Sequence, residues 1–457
     1  MVVQHNLSAM NANRMLGLTQ SALAKSTEKL SSGYKVNRAA DDAAGLSISE
    51  KMRKQIRGLE QATANAEDGI SAVQTAEGAL TEVHDMLQRM NELAVKASNG
   101  TMSVDDRQTV QDEVDQLLTE IDRVAETTKF NETYLLKGDT EDIEIKLKAK
   151  DAGLDGKLVD GAITATFTID TLKVGDKVSI GGIDYTIGST LADVKASLAT
   201  MAEGNQITLN GVQYTITATT NEAKNQISVT DINTKLDNGK TTSVKYLGKT
   251  YNVLAAKDIT AVDPNDATII SATNAYNKMK NELILANSVG ANKTAATLSF
   301  TEDATKDSQN FIITKGVAET KETLNFSLHV GADADMTNKI SVGIESLDTT
   351  GLGIFGLNVK DKTGISATYA IDAIADAVAK VSAQRSELGA IQNRLEHTIN
   401  NLDNVVENTT AAESQIRDTD MATEMVKYSK NNILQQAGQS MLAQANQSNQ
   451  GVLSLLG

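Results

Sequence analysis

Apolar residues recur every seven positions over the first part of the chain, and this spacing predicts one long helix. The row comprises Met52, Leu59, Ala66, Val73, Leu80, Leu87 and Ala94. A sustained seven-residue repeat indicates a left-handed supercoiled helix face, and a helix over residues 46–98 would be about 80 Å long. Polar residues 98–103 interrupt the pattern. Ser103 and Asp106 then form a candidate capping pair for a second helix.

The C-terminal part of the chain carries matching apolar rows. One consists of Ile374, Val381, Leu388, Leu395 and Leu402. Others consist of Leu434, Met441, Ser448 and Leu455, flanked by Gly438, Ala445 and Val452, and of Leu16, Leu23 and Leu30 near the start. Because an amphipathic helix needs a partner for its apolar face, the N- and C-terminal helices are predicted to share one bundle, with the middle of the chain inserted at its far end.

The middle of the chain alternates apolar and polar residues as β-strands do. Residues 178–188 and 207–217 each carry a Gly-Gly or Asn-Gly pair between alternating halves, which is typical of β-hairpins. Further candidates are a looser third copy at 246–254, a short amphipathic helix at 189–202 and another hairpin at 324–344. The predicted fold class is mainly α, a long antiparallel helical bundle or coiled coil built from the N- and C-terminal segments, with an inserted β-rich α+β outer domain.

Composition narrows the possible functions. A net charge of −16 argues against nucleic-acid binding, and no apolar stretch reaches the roughly 18 residues of a membrane helix. The absence of cysteine excludes disulfides and thiolate chemistry. The histidines form no metal-ligand pair and no HExxH motif; they are His5, His84, His329 and His397. We therefore expect no enzyme activity, no metal and no cofactor. The first residues form no cleavable signal peptide.

The terminal segments 1–44 and 412–457 have narrow apolar stripes set among Asn, Gln and Ser. Each offers too little apolar area to offset an ordering cost of about 1–2 kcal/mol per residue. We expect these segments to be mobile in the free subunit and to order when neighbouring copies cover them, which favours a head-to-tail polymer. The alternative is an ordinary coiled coil within one chain.

Two adjacent carboxylates, Asp41 and Asp42, lie among alanines before the long helix. Adjacent helical residues do not share a face, and no histidine is near. We interpret them as helix-capping residues, because aspartate at a helix start is stabilised by free N–H groups and by the helix dipole.

Both ends of the chain resemble bacterial flagellins. The resemblance rests on NLSAMNANRMLGLTQSALAKSTEKLSSGYKVNRAADDAAGLSISEKMRKQIRGL (6–59), AQRSELGAIQNRLEHTINNL (383–402) and AAESQIRDTDMATEMVKYSKNNILQQAGQSMLAQANQ (411–447). It implies three domains. Terminal helices 1–44 and 412–457 would line the filament core, segments 45–139 and 322–411 would form a bundle with a β-hairpin, and residues 140–321 would be the variable, surface-exposed insert.

The resemblance also implies a function and partners. The chain would be a structural subunit that polymerises with itself into the flagellar filament for swimming motility. It would be secreted through the flagellar type III apparatus, with an export chaperone on the C-terminal helix, a filament cap and hook–filament junction proteins as partners. Alternatives are a hook–filament junction protein of the same export class, or a surface adhesin acting through the insert. Tyr185, Tyr214 and Tyr251 are interpreted as turn-packing rather than ligand-stacking residues.

One surface of the long helix receives a second interpretation. Arg89 and Leu93 stand four residues apart, off the core row, with Gln88 and Glu92 beside them. The residues alone favour a solvated face or a bundle-edge leucine. The resemblance instead implies that Arg89 and Leu93, with Glu113, match flagellin positions that bind host Toll-like receptor 5. The same surface would pack subunits along the filament.

Overall fold

The computed structural model describes residues 6–189, 191–199, 201–238, 242–246, 248–254, 266–302 and 307–454. Within them lie eight α-helices: α1 (Leu7–Ser32), α2 (Ala43–Ser98), α3 (Val104–Thr127), α4 (Leu191–Leu198), α5 (Val229–Asp237), α6 (Ala272–Ser288), α7 (Ile365–Arg417) and α8 (Met421–Ser454). The predicted long helix and its successor are confirmed as α2 and α3. The mainly helical fold class, with a β-rich insert between the long helices, is confirmed.

Side-chain caps set where the N-terminal helices begin. Asn6 accepts a hydrogen bond from the N–H of Ala9 at the start of α1. The Asp42 carboxylate accepts from the N–H of Gly45 at 2.8 Å, in the first turn of α2. The predicted pairing of Ser103 with Asp106 is a complete capping box at α3. Each cap satisfies N–H groups that have no partner within the helix.

The chain divides into two compact units. The first comprises Met1–Ser71, Ser327–Val342 and Ala390–Gly457, and the second comprises Ala72–Phe326 and Gly343–Gly389. Both units contain parts of α2 and α7. They are defined by contacts within one chain and do not test the three predicted domains, which stay a prediction.

In the first unit, α2 runs antiparallel to α7. Leu59 clusters with Leu402, and Ala66 clusters with Leu395. The second contact lies seven residues later on α2 but seven residues earlier on α7, as antiparallel helices require. The predicted hairpin at 324–344 packs against α2 at Gly69. A Cβ at Gly69 would lie 2.1 Å from Leu328 Cδ1, so only glycine allows the two to approach this closely. Met52 is half-buried at the outer end of the row.

In the second unit, the seven-residue rows are fully buried. The buried members are Val73, Leu80 and Leu87 on α2 and Ile374, Val381 and Leu388 on α7, all 0% exposed. Helix α3 lies beside the C-terminal part of α2, because Arg89 Nε donates to Glu113 Oε1 at 2.9 Å and Arg107 Nε donates to the Ala97 carbonyl at 2.8 Å. The bundle here therefore has three helices.

Eighteen strands lie within the described residues: β1 (Lys129–Phe130), β2 (Thr133–Tyr134), β3 (Asp142–Lys146), β4 (Lys157–Asp160), β5 (Thr164–Asp170), β6 (Lys177–Ile180), β7 (Ile183–Ile187), β8 (Gln206–Leu209), β9 (Val212–Ile216), β10 (Gln226–Ile227), β11 (Ser243–Tyr246), β12 (Lys249–Asn252), β13 (Ile269–Ile270), β14 (Thr297–Phe300), β15 (Ser308–Thr314), β16 (Val317–Lys321), β17 (Leu324–His329) and β18 (Lys339–Ile344). The larger sheets have the orders β10-β9-β8-β11-β12, β14-β15-β5-β4 and β13-β7-β6.

The predicted hairpins are confirmed as β6–β7, β8–β9, β11–β12 and β17–β18. The insert contains more helix than its alternating pattern suggested, because α5 and the 17-residue α6 lie beside the sheets. One hydrophobic cluster surrounds α6 and a second surrounds the five-stranded sheet. Tyr185 is buried in the first cluster, and Tyr214 and Tyr251 pack against the second, which agrees with the packing interpretation.

Helix α3 is hydrogen-bonded along its length to the segment between β18 and α7. The Asp122 carboxylate accepts from the Thr349 N–H at 2.8 Å. The buried Gln111 amide donates to the Leu357 carbonyl at 2.9 Å and accepts from the Val359 N–H at 2.7 Å. Arg107, one turn before Gln111, donates to the carbonyls of residues 361 and 362. These contacts position the start of α7.

Candidate functional site

The terminal helices α1 and α8 pack against each other within one chain. Asn6 Nδ2 donates to the Ala445 carbonyl at 3.0 Å. A Cβ on Gly438 would lie 3.4 Å from Leu16 Cδ1, so the glycine allows close approach of α1. The row Leu16, Leu23 and Leu30 is half-buried. One seam of each helix is therefore already covered without a second subunit.

The two connectors that follow α1 and precede α8 are joined. The Lys35 N–H donates to the Arg417 carbonyl at 2.6 Å, and the Thr419 N–H donates to the Gly33 carbonyl at 2.8 Å. The Arg417 guanidinium lies 4.7 Å from the Tyr34 ring centroid and donates to Glu50 Oε1 at 2.8 Å. That hydrogen bond lowers the pKa of the Glu50 carboxyl.

A buried carboxylate also links α1 to α8. Burial raises the pKa of Glu424, but hydrogen bonds from Ser26 and Lys427 outweigh it, so the pKa of this carboxyl lies below its ordinary value. A depressed carboxyl pKa stabilises the folded state above the ordinary pKa, and this contribution is lost as pH falls through the lowered value. We therefore expect acid to weaken the pairing of α1 with α8.

Outside the seam, both terminal helices expose large apolar side chains. Within the described part of α1, Ser26 is the one buried residue. The exposed fractions on α1 are Leu7 72%, Met10 64%, Met15 57% and Leu18 63%. On α8 they are Met421 49%, Met425 53%, Val426 69%, Ile433 66%, Leu434 47% and Met441 64%. Large exposed apolar patches mark interaction sites in soluble proteins, and we call these two sets the terminal apolar faces.

The predicted filament-core residues divide between the seam and these faces. Leu16, Leu23, Leu30 and Ala445 are half-buried, whereas Leu434 and Met441 are exposed. The Val452 side chain and Leu455 lie outside the described residues. The heptad pattern missed Leu7, Leu18, Val426 and Ile433, because a seven-residue row selects one seam per helix. A second apolar face at helical spacing is the signal that could have found them.

Four of the five residues predicted to bind the receptor lie together on the surface of α2 and α3. The Arg89 guanidinium donates to Glu113 at 2.8 Å and to Glu92 at 3.0 Å, and these side chains are 51%, 45% and 68% exposed. The exposed Gln88 lies beside them, with Nε2 2.8 Å from His84 Nε2. Hydrogen bonds from Glu113 and Glu92 raise the pKa of Arg89. The result is an exposed, ion-paired surface across α2 and α3.

Leu93 does not belong to this surface. It is 2% exposed, so it is a buried leucine of the bundle although it stands off the seven-residue row, and this fits the bundle-edge alternative better than an exposed contact. Because α3 packs beside the C-terminal part of α2, the buried arc of α2 is wider than a single coiled-coil seam and includes Leu93.

The described residues also bear on membrane insertion and metal binding. None of their helices is long and apolar enough to cross a membrane. Among the same residues, no three or more His, Asp or Glu side chains are grouped so that they could hold a metal ion.

Comparison with known proteins gives matches at both ends and over the whole chain. A family model described as the bacterial flagellin N-terminal helical region matches residues 3–141, and one described as the C-terminal helical region matches residues 371–456. A flagellin from Clostridium tyrobutyricum is 38% identical, with 98% of this chain and 100% of that protein covered. A flagellin from Bacillus subtilis (strain 168) is 34% identical, with 100% of each covered.

One further sequence relative and one solved structure complete the comparison. A flagellin from Salmonella choleraesuis (strain SC-B67) is 34% identical, with 100% of this chain and 99% of that protein covered. A solved structure of FliC from Burkholderia pseudomallei is 20% identical and covers 71% of this chain and 99% of its own, at a TM-score of 0.24. The sequence relatives are therefore the stronger finding.

Proposed function

Because this chain belongs to the bacterial flagellin family and is a subunit of the flagellar filament, we propose that its terminal apolar faces are the surfaces through which copies assemble. The supporting observation is the exposure of these faces beside a seam that is already covered. The seam holds α1 and α8 together as one paired unit, and neighbouring pairs cover the faces. This assigns assembly to Leu7, Leu18, Val426, Ile433 and the residues around them.

The energetics favour simultaneous burial of several such side chains. Removing one Leu, Ile, Val or Met side chain from water contributes about 1.5–3 kcal/mol. The ten exposed side chains per subunit are 47–72% exposed, so burying the exposed part contributes roughly 60% of that value each, or on the order of 10–20 kcal/mol together. Association itself costs about 4–15 kcal/mol. A single contact between two copies is therefore weak, and a subunit is held firmly where several neighbours cover it at once, as in a helical array.

The finer assignments follow from the same surfaces. We assign α1 and α8 to the filament core, the α2–α3–α7 bundle to the shell around it, and residues 140–321 to the outside, where the chain would be extracellular. Export through the flagellar type III apparatus requires the terminal faces to be masked before assembly, which is the proposed role of an export chaperone on α8. A filament cap and junction proteins would contact the same subunit. The role is mechanical and non-enzymatic.

Substituting exposed residues tests assembly without removing core packing. The double change Leu18→Gln and Ile433→Gln is expected to slow seeded filament growth about tenfold or more, because each glutamine replaces apolar area with a polar amide. Growth would be followed by light scattering and electron microscopy. The matched control is Leu285→Gln on α6, where the leucine is 55% exposed; it should grow as the parent does.

Normal growth of the double variant would contradict the assignment of the terminal faces. A second, more drastic arm removes residues 1–44 and 412–457. Filament growth by that truncated chain would overturn the proposed role of the terminal helices altogether. Amide exchange in the dilute monomer tests the expected mobility of the same segments.

A second function is proposed for the surface of Arg89, Glu92 and Glu113, with Gln88 beside it. The exposed salt-bridged cluster supports binding of Toll-like receptor 5 by free subunits, and Leu93 is left out because it is buried. Arg89→Ala is expected to weaken monomer binding to the receptor ectodomain about tenfold, since arginine is frequent among binding hot spots. Surface plasmon resonance would measure it.

The control for the receptor experiment is Arg123→Ala. Arg123 lies on α3, is 58% exposed and pairs with Glu120 at 2.5 Å, so it reproduces the chemistry of the Arg89 cluster elsewhere on the bundle. Equal binding by both variants and the parent would refute the proposed receptor surface while leaving the assembly proposal intact.

A further inference from the structure

Methionine is concentrated on the terminal apolar faces. Six methionines are largely exposed within the described residues, and five of them lie on α1 and α8: Met10, Met15, Met421, Met425 and Met441. The sixth is Met336, 75% exposed, in the turn between β17 and β18. Met90 and Met279, by contrast, are 0% exposed. The chain has 13 methionines and no cysteine, so no thiol competes for an oxidant.

We propose that the five terminal methionines are a peroxide-modification site that controls whether a free subunit can assemble. The proposal rests on the proposed function, since it requires these faces to be buried between copies. A thioether lone pair attacks one oxygen of hydrogen peroxide. The O–O bond breaks and an S–O bond forms, and proton transfer releases water. Methionine becomes methionine sulfoxide, and the peroxide is reduced.

The effect of oxidation on assembly depends on the surroundings of the new sulfoxide oxygen. Met425 shares an open depression on α8 with Val426, Ile433 and Leu434, and with the polar residues Ser429 and Lys430. A sulfoxide there is a strong hydrogen-bond acceptor, and covering it with a neighbouring copy removes its water and replaces an apolar contact by a polar one, which weakens the contact between copies. Each sulfoxide in a covered position is expected to weaken subunit affinity about tenfold.

The proposal also predicts a difference between free and assembled protein. In the free subunit, water and peroxide reach the five side chains directly. In the filament, neighbouring copies cover them, so peroxide should modify them much more slowly. Met336 lies outside the terminal faces and gives an internal reference for oxidation of an exposed methionine that the proposal does not involve. Oxidation would then select against damaged free subunits while sparing those already incorporated.

The experiment treats full-length monomer with hydrogen peroxide and removes the oxidant. Sulfoxide is then quantified at each methionine by peptide mass spectrometry, and seeded growth is measured. We expect growth to fall at least about tenfold as the five terminal methionines are modified, and to recover after treatment with methionine sulfoxide reductases. A variant with all five changed to leucine has no oxidisable sulfur on these faces, so peroxide should leave its growth equal to its own untreated rate, whatever that rate is. Met336→Leu should remain as sensitive as the parent.

The proposal would be overturned if the fully oxidised parent grew at the untreated rate. It would also be overturned if peroxide slowed the five-leucine variant as much as it slows the parent. The single changes Met425→Leu and Met441→Leu report the contribution of each position: each variant should lose less growth after peroxide than the parent does, with sulfoxide measured per residue. Untreated growth of the Leu18→Gln and Ile433→Gln double variant tests the assembly faces alone. Normal growth of that variant would contradict the proposed function, whereas slow growth of it together with unchanged growth of the oxidised parent would contradict only the oxidation site.

Discussion

Replacing Arg107 with methionine is expected to lower the free energy of unfolding by about 3 kcal/mol. Arg107 is 2% exposed and makes its hydrogen bonds to backbone carbonyls: Ala97 at 2.8 Å, Asn99 at 3.0 Å, Asp361 at 3.2 Å and Lys362 at 3.3 Å. Two of these carbonyls belong to the C-terminal end of α2 and the loop after it, where the helix dipole favours a cation. Methionine fills similar space but leaves all four acceptors without their donor.

Arg107 also joins three helices, which is why the effect should be large. It sits in the first turn of α3, reaches the end of α2 and holds the residues that lead into α7. Denaturant unfolding followed by circular dichroism would give the change in free energy. Amide exchange should locate it at Ala97 to Val104 and at the start of α7.

The matched control is Arg89→Met, a change of the same chemistry on the neighbouring helix. Arg89 is half-exposed and its ion pairs are open to water, so its loss should change stability much less. If Arg107→Met proved as mild as Arg89→Met, the carbonyl cluster would not be what holds the three helices together.

Local signals in the sequence predicted much of this fold. The seven-residue rows predicted α2 and α7 because an apolar helix face repeats at that spacing whatever the partner is. The capping box at Ser103 and Asp106 and the Gly-Gly and Asn-Gly turns act within a few residues of chain. The α6 helix was not predicted, because its neighbours alternate as strands do and its own apolar face is completed by the sheets around it.

Contacts between distant parts of the chain could not be predicted in the same way. Gln111 and Asp122 bind segments more than two hundred residues later, and the partners are mostly backbone groups, which carry no sequence signal. Leu93 illustrates the same limit. Its spacing placed it off the core row, and its burial depends on where α3 lies, which the sequence of α2 does not contain.

The terminal helices combine both situations. Their seam was readable as Leu16, Leu23 and Leu30, since it follows the heptad rule. Leu434 and Met441 belong to the exposed set and were also readable from their row, whereas Leu18 and Ile433 became visible only once α1 and α8 were paired, because their burial depends on partners outside the chain.

Replacing Gly290 with alanine is expected to destabilise the fold by about 3 kcal/mol or more. Gly290 lies after α6 and its C-cap residue Val289. Its φ is 83°, a conformation that alanine adopts at a cost of about 1–2 kcal/mol. A Cβ at this position would also lie 2.1 Å from the Gly353 carbonyl oxygen and 2.5 Å from its carbon. Both atoms are backbone, so no side chain can move aside to relieve the contact.

Gly175→Ala separates the two causes. Gly175 has φ at 92°, but a Cβ there would meet nothing within 4 Å, so this change should cost about 1–2 kcal/mol for the backbone conformation alone. The excess loss at Gly290, measured by denaturant unfolding of both variants, would report the close approach of the two backbones. Because Gly290 lies just beyond a helix of the insert and Gly353 lies between β18 and α7, that excess measures how strongly the insert is fixed to the segment that leads to the bundle helix. Equal losses at the two glycines would mean that the Gly290 and Gly353 backbones separate freely and that this contact does not hold the insert.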